Sequence, residues 1–362
     1  MTKKIGLLTP YPPNTVPSLR FRIEQYITAL HSVGYEIVWQ SFFSPLRYRG
    51  FKSPGAPLHK RVLNFAGAFW EASLKALRAS DWEGVYLHRE YAPIGTTWLE
   101  EKSIGSRPFI LDFDDAIWIV DTSEENRAFA WMKSPKKLPK LLSKARLVTV
   151  CNPYLAEYAR QYAADVRVIP TTIDTNVYVP PKKDPQPSKL VIGWSGSFTT
   201  LRHLRTIEEA LLILYRRHKD RISFRFIGVP QYHPPFPAEV LPWKAETEVE
   251  DLSVIDIGLM PLPDDEWSKG KCALKSLQYM ALKIPAIVSP VGMNCQVVRD
   301  NYNGLYATTI EDWVEKVSYL IENPEVRMRL GETARRIVEE EYSVKANFSK
   351  YKEAFQAAYG FE

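Results

Sequence analysis

The sequence predicts an α/β protein built from two Rossmann-like domains, each with a parallel sheet. The chain has 362 residues, a length that suits two domains. Short apolar segments alternate with amphipathic helical segments along most of it, and this alternation is typical of βαβ units. A proline-rich stretch at 178–187 interrupts the alternation near the middle, so it predicts the domain boundary.

The first half of the chain contains six predicted strands. Between the first two, apolar residues from Phe21 to Leu30 recur at helical spacing, which predicts a helix over Ser18–Ser32 that Gly34 ends. The predicted strands are Ile5–Leu8, Glu36–Ser41, Gly84–His88, Phe109–Phe113, Leu147–Cys151 and Val166–Ile169.

The alternation restarts after the proline-rich stretch. Strands are predicted at Leu190–Trp194, Phe224–Ile227, Ile255–Met260, Ala286–Ser289 and Leu305–Ala307, and helices at Thr200–Arg216, Lys271–Leu282, Ile310–Glu322, Glu325–Glu340 and Val344–Tyr359. We therefore expect a first domain over 1–177, completed by the C-terminal helix 344–362, a linker over 178–189, and a second domain over 190–343. Ligands of such sheets bind beyond the carboxyl ends of the strands, so the cleft between the domains is the expected site.

Composition and charge narrow the class of protein. Hydrophobic residues make up 45% and charged residues 25%, as in ordinary soluble domains. Lys and Arg outnumber Asp and Glu by 23 to 17 in residues 1–180, which indicates anionic partners there. No apolar run has the length of a membrane span or a signal peptide, so we expect a cytoplasmic protein whose membrane contact, if any, is peripheral. No segment resembles a nucleic-acid-binding module.

A helix preceded by glycine is the strongest chemical signal. Gly270 precedes the predicted helix, so backbone N–H groups near Cys272–Leu274 are available to an anion. Lys271 and Lys275 are four positions apart on one face of the first turn, and a bound diphosphate would offset the unfavourable placement of cations there. The alternative interpretation is a solvated lysine pair on a surface helix.

The loop after Trp194 is a second candidate for binding phosphate. Gly196 permits close backbone approach, Ser197 can donate to a phosphate oxygen, and Arg202 can pair with a pyrophosphate through two hydrogen bonds. An ordinary helix cap followed by a surface arginine would give the same pattern.

The run from Gly270 to Gly292 resembles the C-terminal-domain signature of the retaining glycosyltransferases of the large family 4, which have the two-domain GT-B architecture. Within it, Gln278–Ala281 and Ile284–Gly292 match the signature, as does Asn303–Gly304 further on. Five other segments resemble one branch of the family: Pro17–Arg22, Leu111–Trp118, Val148–Leu155, Ile169–Asp174 and Ile192–Ser197.

The resemblance implies transfer of a hexosyl group from a nucleoside diphosphate sugar to a hydroxyl of a glycan or a lipid-linked saccharide. It also implies retention of configuration, no metal, and no cofactor apart from the donor as co-substrate. The family's two glutamates, eight positions apart, fall on Gly270 and Gln278. Gln278 can still accept a hydrogen bond from the ribose through its amide oxygen. Asp264, Asp265 or Glu266 would have to replace the first glutamate; otherwise the chain is an impaired homologue that acts as a binding or partner subunit.

Acidic residues and a histidine end two strands of the first domain. Asp114 and Asp115 follow a strand that contains Asp112, and His88 ends another. A D-x-D motif can hold Mg²⁺ in a single-fold transferase. The two-domain repeat instead favours Asp114 and Asp115 as groups that orient the acceptor or stabilise charge on the sugar, with His88 as a further catalytic candidate. Helix capping and a structural histidine are the alternatives.

The loop and helix after the first strand contain the acceptor-binding candidates, Ser18, Arg20 and Arg22. Two arginines here would suit an acidic or phosphorylated acceptor, although a solvated helix face would look the same.

Two basic stretches predict peripheral contact with an anionic membrane. Residues 45–78 hold seven Lys or Arg and one acid, interleaved with aromatic residues, and residues 133–146 hold six and no acid. Basic amphipathic segments bind anionic lipid surfaces. Two ordinary basic helices remain the alternative.

Overall fold

The computed structural model describes residues 2–360 except 54, 79, 120–133, 135 and 183–187. Two of the predicted linker's four prolines and two residues of the basic stretch 133–146 therefore lie outside the described residues. The chain divides into two compact units: Met1–Pro170 with Phe348–Glu362, and Thr171–Asn347. Each unit is an α/β domain around one six-stranded sheet, and the fold class predicted from the sequence is confirmed.

The sheet of the first unit is parallel, in the order β2-β1-β3-β4-β5-β6. Its two central strands, β3 and β4, are buried along their whole length, as expected for strands covered on both faces. The strand order reverses between β1 and β3, and the carboxyl ends of these strands define the usual ligand position of such a sheet. The strands are β1 (Lys3–Thr9), β2 (Tyr35–Ser41), β3 (Gly84–His88), β4 (Phe109–Phe113), β5 (Leu147–Val150) and β6 (Val166–Val168).

The helix predicted over Ser18–Ser32 is interrupted. A 3₁₀ turn at Glu24–Tyr26 separates two short helices, because the Tyr26 N–H bonds the Ile23 carbonyl three residues back rather than four. Phe21, Ile23, Tyr26 and Leu30 remain buried, since a spacing of three keeps them on one side. The helices are α1 (Pro17–Arg22), α2 (Ile27–Ser32), α3 (Pro45–Lys52), α4 (Leu58–Leu77), α5 (Trp98–Ile104), α6 (Lys137–Leu142) and α7 (Pro153–Arg160).

The sheet of the second unit is also parallel, in the order β12-β11-β10-β7-β8-β9. Numbered from β7, this is the 3-2-1-4-5-6 order of the dinucleotide-binding fold, with the reversal between β7 and β10. The strands are β7 (Leu190–Ser195), β8 (Ile222–Ile227), β9 (Glu239–Leu241), β10 (Ile257–Met260), β11 (Ala286–Val288) and β12 (Gly304–Tyr306).

Two predicted helices of the second unit differ from the structure. The helix predicted over Thr200–Arg216 breaks at Thr206 and Ile207, and the one predicted over Glu325–Glu340 passes into a π-helical turn after Ile337. The helices are α8 (Leu201–Arg205), α9 (Glu208–His218), α10 (Glu248–Ser253), α11 (Glu266–Lys269), α12 (Leu274–Ala281), α13 (Asn294–Val297), α14 (Ile310–Glu322) and α15 (Pro324–Ile337).

A buried tyrosine fixes α12 to the sheet of the second unit. Gly258 of β10 has no side chain, and a Cβ there would lie 2.4 Å from the ring of Tyr279. The Tyr279 hydroxyl accepts a hydrogen bond from the Ser195 N–H at 3.0 Å. This contact places the first turn of α12 beside the loop that leaves β7, at the strand reversal.

The last helix, α16 (Val344–Tyr359), contributes its residues from Phe348 onward to the first unit. The Tyr351 ring lies 4.1 Å from that of Tyr26, and the Phe355 ring 5.2 Å from that of Tyr35. The Tyr359 hydroxyl donates to the carbonyl of Val85 at 2.5 Å. The core of the first unit is thus closed by the end of the chain. Among the described residues, no helix is long and apolar enough to span a membrane.

Candidate functional site

The loop before α12 differs from the prediction. The helix begins at Leu274, not at Lys271, because Ala273 adopts a left-handed conformation with φ of 54° and ψ of 26°. An alanine there is strained, since its Cβ crowds the following carbonyl. No side chain caps the helix. The first N–H groups of a helix have no partner within the helix, so the start of α12 is suited to an anion.

Three cations surround this helix terminus. The Lys275 Nζ lies 5.4 Å from the centre of the Trp194 ring, and the Lys271 Nζ lies 4.5 Å from that of Trp267. Arg202 projects from α8, immediately after the loop that leaves β7. The indole rings hold the two ammonium groups in place through cation–π contacts.

The side chain of His203 experiences the positive charge of these three cations. Its side chain is buried, and its Nε2 makes no hydrogen bond. Burial lowers its pKa to about 4, reinforced by the charges of Lys275, Arg202 and Lys271. The three cations predicted to bind the donor thus lie within electrostatic reach of one buried imidazole. His203 was not a predicted site residue, although it directly follows Arg202 in the sequence.

The Gly196–Ser197 loop is tightly packed. A Cβ on Gly196 would lie 2.1 Å from the Trp194 ring, so glycine is required there by the protein's own packing. Ser197 caps the 3₁₀ turn at Phe198–Thr200: its N–H donates to the Thr200 hydroxyl at 2.9 Å, and its own hydroxyl lies 2.8 Å from that of Thr199. Ser197 therefore caps this turn. A helix cap was the alternative interpretation of a residue predicted to bind phosphate.

Gln278 belongs to a buried polar chain. Its Nε2 donates to the Tyr178 hydroxyl at 2.8 Å, which donates to the Glu248 Oε2 at 2.8 Å. The Trp243 Nε1 donates to the other carboxylate oxygen at 2.8 Å. Tyr178 was predicted as a linker residue, and the sequence offers no signal for this chain because its members are far apart along it.

The acids upstream of Gly270 are engaged elsewhere. The Asp265 carboxylate caps α11 by accepting from the Ser268 N–H at 2.7 Å. Lys269 pairs with Glu266 at 2.8 Å and with Asp264 at 3.8 Å. None of these contacts places a carboxylate where Gly270 lacks one.

In the first unit, a buried carboxylate organises the ends of β3 and β4. The Arg22 guanidinium pairs with Asp112 at 2.5 Å, and Thr149 donates to the same oxygen at 2.7 Å. The His88 Nδ1 lies 2.8 Å from the second oxygen. Burial alone would raise the pKa of Asp112, but Arg22 and His88 hold it well below its ordinary value.

The acceptor-binding role predicted for Arg22 is corrected by this geometry. Its side chain is completely buried, and besides Asp112 it also donates to the carbonyl of Ile169. A guanidinium so engaged is structural. Arg20 is half-buried on the same helix, with its guanidinium 5.2 Å from the Phe21 ring.

Ser18 joins His88 to Asp114. Its Oγ lies 2.6 Å from the His88 Nε2 and 2.7 Å from the Asp114 Oδ1. The Ser18 hydroxyl donates its proton to Asp114, and its contact with His88 links the three side chains. Ser18, His88 and Asp114, which the sequence placed on three separate elements, therefore meet at the carboxyl ends of β3 and β4.

Arg89 pairs with both aspartates that follow β4. It donates to Asp114 at 2.6 Å and to Asp115 at 2.7 Å, and its own backbone is left-handed with φ of 59°. Both carboxylates are largely buried and lie beyond β4 as predicted. Among the described residues, no group of three acidic, histidine or cysteine side chains could hold a metal ion.

Two units, each built on a six-stranded parallel sheet, match the two-domain fold of GT-B glycosyltransferases. The family described as "Glycosyl transferases group 1" matches residues 269–337, which contain α12 and both lysines of the cationic cluster. No curated protein matches the sequence significantly.

Solved structures match nearly the whole chain. Sucrose-phosphate synthase from Thermosynechococcus elongatus is 14% identical, with 98% of each chain covered and a TM-score of 0.68. The catalytic domain of starch synthase IV from Arabidopsis thaliana, bound to ADP and acarbose, is 12% identical over 99% of this chain and 100% of that one, with a TM-score of 0.67. HepE from Anabaena, in complex with UDP-glucose, is 13% identical with the same coverage and a TM-score of 0.64. The TM-scores show that this chain shares the fold of these three proteins.

Proposed function

We propose that this protein transfers a hexosyl group from a nucleoside diphosphate sugar to a hydroxyl acceptor. The observation that carries this proposal is the cationic cluster: Arg202, Lys271 and Lys275 surround the buried His203 at the uncapped terminus of α12. Three cations and a helix N-terminus complement a diphosphate. The cluster includes part of the segment that matches the glycosyltransferase family, and the likeness to HepE with UDP-glucose supports this class of donor.

The reaction needs no metal in this proposal. The bond between the sugar C1 and the diphosphate oxygen breaks while a bond from C1 to the acceptor oxygen forms on the same face, which retains configuration. The cations and the α12 N–H groups stabilise the charge that develops on the diphosphate. The departing phosphate takes the acceptor's proton, so a strong protein base is unnecessary. The donor is the co-substrate, and no other cofactor is required.

The carboxyl ends of β3 and β4 would serve the acceptor. Asp114 and Asp115, held by Arg89, and His88, linked to Ser18, would orient the acceptor hydroxyl. Arg20 remains a candidate for binding an acidic acceptor.

The experiment is a measurement of nucleoside diphosphate release from UDP-, GDP- and ADP-sugars, with and without candidate acceptors. We expect release from one nucleotide class that an acceptor accelerates. The engaged acids near Gly270 favour one rival, a binding or partner subunit. Donor binding without release across the panel would identify that rival and overturn the enzyme proposal.

We further propose that the acceptor is lipid-linked and that α3 and α4 rest on an anionic membrane. The buried side of α4 is built from small residues, Ala68, Ala72 and Ala76. Its opposite side exposes a stripe in which Trp70 is 67% and Leu63 65% exposed. We call this surface the α3–α4 face; its exposed apolar residues are Leu46, Leu58, Val62, Leu63, Trp70, Leu74 and Leu77.

The charges beside the α3–α4 face match an anionic surface. Residues 45–78 have one acid, Glu71, and it pairs with Arg47 at 2.9 Å. Exposed cations flank the stripe, among them Lys60, Lys75 and Arg78. A long helix with an apolar face and flanking cations lies in a lipid interface when the lipid is anionic.

Vesicle sedimentation tests this contact. Changing Leu63, Trp70 and Leu74 together to Gln should weaken binding to vesicles of equal parts phosphatidylcholine and phosphatidylglycerol by about tenfold or more. The same change at Val254, Tyr319 and Met328, which are similarly exposed in the second unit, should have no effect. Equal binding to pure phosphatidylcholine vesicles, or a dimer in solution that the triple variant dissociates, would contradict the proposal.

A further inference from the structure

We infer that Tyr178 and Glu248 are positioning residues that fix the amide orientation of Gln278, so that its carbonyl oxygen is presented to a ribose hydroxyl of the donor nucleotide. The inference rests on the proposed function, because it takes Gln278 as part of the donor site. It assigns a role to two residues far from Gln278 in the sequence.

The direction of each hydrogen bond follows from the one before it. The Trp243 Nε1 can only donate, so it occupies the Oε1 of Glu248 as an acceptor at 2.8 Å. The other carboxylate oxygen accepts from the Tyr178 hydroxyl at 2.8 Å. Having given its proton to Glu248, the Tyr178 oxygen can only accept, and it does so from the Gln278 Nε2 at 2.8 Å. The Gln278 Oε1 is therefore the end turned away from Tyr178.

Burial of these side chains strongly favours this orientation of the Gln278 amide. Tyr178 is 2% exposed, and Glu248 and Gln278 are each 4% exposed. Water is not available to replace a lost bond, so a flipped amide would set its carbonyl oxygen against the Tyr178 oxygen with no proton between them. Gln278 lies one turn after Lys275 on α12, and the sugar nearest the diphosphate in a nucleotide is the ribose.

The same logic accounts for glutamine at a position where the resembling family has glutamate. A carboxylate at 278 would compete with Glu248 for the single proton of Tyr178. With Glu248 as the acceptor at one end, the residue at 278 must be a donor toward Tyr178 and an acceptor toward the ligand. A correctly held glutamine amide meets both requirements.

Exchanging the two side chains tests the relay. In Glu248→Gln, the new amide accepts from Trp243 and donates to Tyr178. The Tyr178 hydroxyl must then donate to the carbonyl oxygen of Gln278, so the NH₂ group of Gln278 turns toward the ligand. In the double variant Glu248→Gln with Gln278→Glu, Tyr178 donates to the carboxylate introduced at position 278, and the second oxygen of that carboxylate accepts from the ligand. The single variant should lose the ribose contact, and the double variant should recover it.

The measurement is calorimetric affinity for UDP, GDP and ADP and for their 2′,3′-dideoxy counterparts. We expect the wild type to prefer the ribonucleotide, Glu248→Gln to reduce that preference by about tenfold, and the double variant to restore it. Glu250→Gln, an exposed change on the same helix, is the control, and unfolding temperatures verify that each variant is folded. Unchanged preference in Glu248→Gln, or no recovery in a folded double variant, would overturn the inference alone. Absence of nucleotide binding in the wild type would instead overturn the proposed function and this inference with it.

Discussion

The two units place polar residues at the same position of similar sheets, yet they treat charge in opposite ways. In the first unit, Arg22 pairs with Asp112, and Arg89 pairs with both Asp114 and Asp115. In the second unit, burial lowers the pKa of His203, and the charges of Lys275, Arg202 and Lys271 lower it further. The side chains of the first site are linked by ion pairs, whereas three cations of the second site act on one buried imidazole. In our proposal, the second site is the one that receives the anionic donor.

Removing the buried arginine of the first unit should have the largest effect on stability. Arg22→Met leaves Asp112 buried without its main counter-charge, which costs about 3–5 kcal/mol. Urea denaturation should show this loss. Arg167→Met is the matched control, because its pair with Asp165 is partly exposed and is worth at most about 1 kcal/mol. Equal losses in the two variants would show that the Asp112 cluster is not held by charge.

Removing a cation from the second unit should affect ligand binding. Lys275→Ala should weaken the affinity for the donor nucleotide by about 10–100-fold, since a hydrogen bond to a charged group contributes about 1.5–3 kcal/mol. Its fold should persist. Lys283→Ala is the control: Lys283 is exposed and pairs with Glu332 at 2.8 Å. If both variants respond to nucleotides equally in a thermal-shift assay, the diphosphate does not bind at α12.

The pH dependence of stability should have opposite signs in the two units. The pKa of His203 falls from 6.5 to about 4 on folding, so the unfolded chain binds more protons and this residue makes the fold less stable as the pH falls from 6.5 to 4. Burial raises the pKa of Glu24 from 4.5 to about 7, so this carboxyl makes the fold more stable as the pH falls from 7 to 4.5.

Urea midpoints at pH 7 and pH 5 would separate these contributions. Relative to the wild type, His203→Gln should gain stability on acidification and Glu24→Gln should lose it. If acidification changed the stability of both variants in the same direction relative to the wild type, the predicted opposite pH dependence of His203 and Glu24 would be wrong.

The sequence predicted strands better than it predicted helix ends. Gly84–His88 and Phe109–Phe113 were predicted at their observed bounds, because fully buried parallel strands are continuous apolar runs. The start of α12 was predicted too early, since nothing in the residue type of Ala273 signals a left-handed conformation. Short elements such as α10 and α11 escaped prediction because they are too short to show periodicity.

The sequence likewise predicted some residues of the candidate sites and missed others. The group of Lys271, Lys275 and Arg202 was predictable because each follows a strand–loop–helix pattern with known chemistry. The Tyr178–Glu248–Gln278 chain was not, since it joins residues up to 100 positions apart. The burial of Arg22 was also invisible, because a helical arginine near a loop has the same local sequence whether it meets solvent or Asp112.

The return of α16 to the first unit has a consequence for how the chain is made. Tyr351, Phe355 and Tyr359 fill the core beside β1 and β3, yet they are synthesised only after the whole of the second unit. During translation, at roughly 5–20 residues per second, the second unit has its whole sequence before the first can close its core. The first unit must therefore wait with apolar surface uncovered, and a ribosome that stalls before residue 348 releases a chain in which the second unit has its whole sequence and the first does not.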